Sequence, residues 1–172
     1  MESVQKSIEV AVPVSTAYNQ WTQFEEFPRF MEGVKEVRQL DDAHLHWRAE
    51  IGGKEDEWDA EITSQVPDQR VAWRSVSGAT NAGIVTFHPI DEGRTRIDLR
   101  IEYDTDGVIE KIGDMFGAVD SRVEGDLERF KSFIEDRGSE TGAWRGAIQS
   151  GEVESGGPTQ RPGAGPGQPK IE

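Results

Sequence analysis

Between residues 4 and 12 the apolar side chains Val4, Ile8, Val10 and Val12 alternate with polar ones. That is the period of a half-buried strand, and Pro13 stops it. Ser15 is placed to cap a first helix in which Ala17, Tyr18, Trp21 and Phe24 share one face. A second, short helical segment follows at Phe24–Met31, interrupted by Pro28. After Gly33 the period changes to two and stays there, giving strands at 34–40, 45–51, 55–66, 70–76, 82–90 and 95–103. Turn chemistry separates them at Asp41-Asp42, Gly52-Gly53, Pro67-Asp68, Ser77-Gly78 and Asp91-Glu92-Gly93; Gly78 and Gly83, which flank Asn81, read as parts of a hairpin turn. Connections this short imply an antiparallel meander. From 108 to 137 the apolar positions return every three or four residues, predicting an amphipathic helix about 45 Å long.

One strand, two short helices, six strands and a long helix predict an α+β fold. The seven-stranded antiparallel sheet is too long to stay flat, so it curls, and the final helix buries its stripe in the concave face. Alternation then sorts the strand side chains. Leu45, Trp47, Ala49, Ile51, Trp58, Ala60, Ile62, Val71, Trp73, Val85, Phe87, Ile97, Leu99, Ile101 and Tyr103 are expected inside, and the intervening charges outside.

Composition divides the chain. Residues 138–172 hold nine glycines and four prolines, with Trp144, Ile148, Val153 and Ile171 as their larger apolar side chains. Such a stretch offers little to bury, so a disordered tail is expected there, with residues 1–137 as the folded domain. The net charge is −14, which opposes nucleic acid and anionic membrane surfaces as partners. No apolar run approaches the ~20 residues of a membrane span, and the start of the chain lacks the pattern of a signal peptide. A cytoplasmic protein without stable membrane insertion is expected. The absence of cysteine removes thiolate catalysis, disulfides and metal–sulfur sites together.

The opening SIEVAVPVSTAYNQWTQFEEFPRFMEGVKEV, the hairpin FHPIDEGRTRIDLRIEY and the closing helix DLERFKSFIEDRG resemble the polyketide cyclase/dehydrase-like branch of the START-like (SRPBCC) superfamily. The resemblance covers about residues 2–137 and implies the helix-grip fold. Proteins of this type include aromatase/cyclases, quinone-binding proteins, lipid carriers and hormone receptors, so the fold leaves the chemistry open.

The enclosed space between sheet and helix is the candidate site. Trp47, Trp58 and Trp73 on three successive strands, with Phe87 and Tyr103, would wall it on the sheet side. Ile112, Met115, Phe116 and Val119, in the glycine-containing first half of the helix, would line or gate the mouth. The second half, with Leu127, Phe130, Phe133 and Ile134, would be the fixed clamp. Trp21, Phe24, Phe27, Phe30 and Met31 read as a plug at one end. His44 and His46 lie two apart but on the outer face, without an evident third ligand, so no metal and no cofactor is expected. Glu57, Asp59 and Glu61 read as an outer charge ladder facing Arg48 or Arg74. With no catalytic constellation inside, the leading expectation is binding of a small hydrophobic molecule. A cyclase/dehydratase and a lipid or quinone carrier are the alternatives. The pattern carries no signature of an oligomeric state.

Overall fold

The computed structural model describes residues 2–51, 54–78, 80–103 and 112–154, with side chains except at 2, 51, 54, 112–119 and 154. The chain runs β1 (Glu2–Val10), α1 (Val14–Trp21), a 3-10 turn (Phe24–Arg29), β2 (Val34–Asp41), β3 (His44–Ile51), β4 (Lys54–Val66), β5 (Arg70–Gly78), β6 (Asn81–Asp91), β7 (Arg94–Tyr103) and α2 (Ile112–Arg137). Two short strands, β8 (Ala147–Gln149) and β9 (Glu152–Glu154), follow. The main sheet has the order β1-β7-β6-β5-β4-β3-β2, all antiparallel, which is the expected meander closed by β1 on β7. This is the helix-grip fold. Residues 104–111, where the long helix was expected to begin, lie outside the described residues. The first helix starts one residue before the expected cap. Pro13 takes the N-cap position without a side-chain bond, and its carbonyl accepts from the Ala17 N–H at 3.1 Å.

The core is densest where α2 crosses the plug. Phe130 lies 5.0 Å from the Trp21 ring and 5.1 Å from Phe30, edge-on to both. Val123, Leu127 and Ile134 are buried beside it, with Leu45, Ile62, Val71, Val85, Ile97 and Leu99 from the sheet. Polar ties fasten this half of α2 to both rims of the groove. Lys6 on β1 pairs with Asp120 at 3.2 Å. On the other rim Arg122 donates to the Glu50 carbonyl at 2.9 Å, passing over Gly33, where a Cβ would stand 1.6 Å from its guanidinium nitrogen. Asp126 accepts from the Glu32 N–H, and Arg129 donates to the Phe30 carbonyl. Burial pushes the Asp126 carboxyl up from its ordinary pKa, opposed by its Arg129 partner and the Glu32 N–H. Of the anchors expected to clamp this half, Leu127, Phe130 and Ile134 are buried, whereas Phe133 is half-buried beneath Arg29 and Arg137.

The disordered tail needs correction over its described part. Gly138, at φ +72°, ends α2, and residues 139–154 then return along the domain as a strap. Trp144 and Ile148 are fully enclosed. The strap stitches itself to the polar face of α1. Thr141 and Gln20 exchange two hydrogen bonds at 2.8 and 3.0 Å, the Trp144 N–H donates to Thr22, and Asn19 bonds both Glu140 and Arg145. Strand β4 is longer than β3, and beyond Ile62 its edge is free; β8 pairs there, opposite Ser64 and Gln65. The apolar content of the segment understated its binding, because the strap satisfies buried polar groups of α1 and an open sheet edge as well as burying surface. The domain therefore extends to at least residue 154. Residues 155–172 lie outside the described residues.

Candidate functional site

The sheet register brings two of the expected tryptophans into direct contact. Trp47 and Trp58 are opposite each other on β3 and β4, and their rings stack at 5.7 Å with 9° between planes. Trp47 also leans on Phe27 of the plug at 5.7 Å, so aromatic contact is continuous from Phe130 through Trp21 and Phe27 to Trp58. Both rings are half-buried, unlike the fully buried Leu45, Ile62 and Val71 further along the same face. Their indole nitrogens are nevertheless enclosed, and neither donates to an acceptor among the described residues.

Trp73 is half-buried next along the sheet, opposite Ile62 on β4 and Gly83 on β6. Gly83 is not part of a turn, contrary to expectation. It lies inside β6, and the Trp73 indole rests across it, where an added Cβ would be 2.3 Å from Cζ2. A glycine in a strand serves such close approach. Trp73 Nε1 donates to Asn81 Oδ1 at 3.2 Å, and Asn81 is the cross-strand partner of Tyr103. Tyr103 is buried.

Phe87 does not join this group. It packs edge-on against Tyr18 at 5.5 Å and Trp21 at 6.2 Å, in the closed end of the groove. The plug residues Trp21, Phe24, Phe27, Phe30 and Met31 are all buried there. The side chains of Ile112, Met115, Phe116 and Val119 lie outside the described residues; their backbone belongs to α2.

The acid–base groups of the meander are on the convex side. His46 Nδ1 is 2.7 Å from Asp59 and its Nε2 is 3.0 Å from Glu57; Asp59 holds the imidazole pKa above its usual value, and His46 holds Asp59 below the usual carboxylate range. His44 pairs with Asp41, and His88 with Asp98. Of the expected ladder, Arg74 reaches Glu61, but Glu57 and Asp59 pair with His46 instead, and Arg48 reaches Glu36 and Glu55.

Alternation missed one inward polar residue. A bulge in β4 between Ile62 and Ser64 shifts the faces, so Gln65, rather than Ser64, points into the core and is fully buried. Tyr18 faces it from α1, and burial pushes the Tyr18 hydroxyl up to about 12.

A curled antiparallel sheet gripping a long helix, with an aromatic wall on its concave side, defines the START-like class. Residues 10–131 match the family described as polyketide cyclase/dehydrase and lipid transport, and the chain belongs to that family. An uncharacterized 17.2 kDa protein of Streptomyces lincolnensis, from the melC2-rnhH intergenic region, is 55% identical over 149 residues, covering 86% of this chain and 99% of that protein. Among solved structures, the Zhui aromatase/cyclase from Streptomyces sp. R1128 superposes with a TM-score of 0.70 at 15% identity, over 83% of this chain and 98% of the other. A START superfamily protein from Mycobacterium smegmatis does so at 0.66 and 15%, over 77% and 98%. At these identities the two structures support the fold. Among the described residues, no helix is long and apolar enough to cross a membrane.

Proposed function

We propose that the protein binds a small, flat hydrophobic molecule, of aromatic, polyketide-like or isoprenoid character, between the sheet and the first half of α2. The observation that carries this reading is the Trp47–Trp58 stack, whose rings are half-buried on the concave face. A stacked indole pair presents a planar apolar surface on which a flat molecule can pack. Trp73 and Tyr103 would extend the wall. Ile112, Met115, Phe116 and Val119 would line the mouth. Binding is favoured over catalysis because the histidines and the β4 carboxylates lie on the other side of the sheet.

Native mass spectrometry of the purified full chain, together with a fluorescence titration using anilinonaphthalene sulfonate, tests the reading. The expected results are a retained small apolar molecule and energy transfer from tryptophan to the probe. Trp58→Ala should weaken probe binding by about threefold to tenfold, the ~0.5–1.5 kcal/mol of one aromatic pair. Phe116→Ala should speed release with modest loss of stability. Neither retained molecule nor energy transfer in the unmodified protein would refute it.

A further inference from the structure

A polar cluster lies at the closed end of the groove, where the proposed ligand does not reach. Gln65 and Tyr18 are both fully buried. Among the described residues neither carboxamide atom of Gln65 nor the Tyr18 hydroxyl makes a hydrogen bond of full geometry, although the two side chains face each other closely enough for Gln65 to offset part of the rise in the Tyr18 pKa. Asp68, in the turn after β4 at φ +65°, contributes a further buried atom of this kind, its Oδ1. Its Oδ2 is 2.9 Å from Arg145 of the strap. Arg145 closes the cluster from outside: it also donates to Asn19 Oδ1 at 2.6 Å, and its guanidinium stands 5.5 Å over the Tyr18 ring.

Buried polar groups in native proteins are almost always satisfied, by protein or by ordered water. This cluster offers donors from Tyr18 and the Gln65 amide, and acceptors at Gln65 Oε1 and Asp68 Oδ1. An apolar molecule would satisfy none of them. An anion would face the Asp68 carboxylate, and a cation would face Arg145. Water, with two donors and two acceptors, matches the set, and the site has the several polar partners that an internal water requires.

We propose that Tyr18, Gln65 and Asp68 line an internal hydration site sealed by Arg145, in which ordered water joins the strap to α1 and β4. The site is independent of the hydrophobic ligand. A crystal structure of the full chain at high resolution is the direct test. The expected result is density within hydrogen-bond distance of Tyr18 Oη, the Gln65 carboxamide and Asp68 Oδ1. Direct bonding of Tyr18 and Asp68 to Gln65, with no density between them, would overturn the proposal. Oxygen-17 water relaxation dispersion gives a solution readout. The count of long-lived waters should drop by at least one in Gln65→Leu, and residence should shorten in Arg145→Met. An unchanged count in a folded Gln65→Leu variant, or in Tyr18→Phe where Gln65→Leu fails to fold, also overturns it.

Discussion

Trp73 keeps its position because residue 83 has no Cβ. In Gly83→Ala the new methyl would meet both the indole and the Arg100 carbonyl, at 2.3 and 2.9 Å, so the ring must lift away. The expected outcome is a red-shifted tryptophan emission and weaker probe binding, with about 1–3 kcal/mol lost in urea denaturation, the usual range for overpacking. An unchanged emission spectrum would mean that the ring is not seated there. On the opposite face, His46 predicts a pH effect. Its folded pKa is raised above the ordinary 6.5, first by Asp59. The contact therefore stabilises the fold fully below about 6.5 and stops contributing as pH rises through the higher folded value. Asp59→Asn should lower the urea midpoint more at about pH 5.5 than at about pH 8.5; equal penalties would contradict the pairing. The tryptophans were legible because strict alternation fixes their face. Gln65 was not, because a single extra residue in β4 reverses the pattern and leaves no mark in hydropathy. Gly83 was misread because a glycine beside a turn signal and a glycine beneath an indole look alike in one dimension.

At the scale of elements, α2 is secured by apolar anchors and by ties to both rims, and its clamp half was readable from the spacing of Val123, Leu127, Phe130 and Ile134. The strap was not readable from periodicity, since its order depends on partners far away in sequence. Two signals were present: Trp144 and Ile148 as isolated large anchors, and Ser150-Gly151 between two short runs. Both residues of that pair adopt positive φ, 52° and 79°, as a two-residue hairpin turn requires. Trp144 is 3% exposed, and its backbone N–H bonds Thr22 inside the domain. Trp144→Ala should therefore cost about 3–5 kcal/mol by urea or thermal unfolding, as for other buried large aromatics. A change within experimental error would show that the strap is a passive appendage.

Across the whole molecule the groove has two unlike ends. Plug, clamp and strap converge on one, where aromatic side chains interlock and polar groups are enclosed. Toward the other, the tryptophan wall keeps part of its surface uncovered. The architecture was legible in the order and length of elements, because short connections between strands leave few topologies. The partition of the groove was not, because it depends on which side chains meet across the interior. The strap has a further consequence, through β4. Its last residues run past β3, and β8 occupies the backbone groups that this leaves facing outward. A chain shortened after Gly138 would present those groups as a template onto which a strand of a neighbouring molecule can add. Light scattering should then show concentration-dependent self-association that the full-length chain lacks, so these few residues would act as a guard against aggregation.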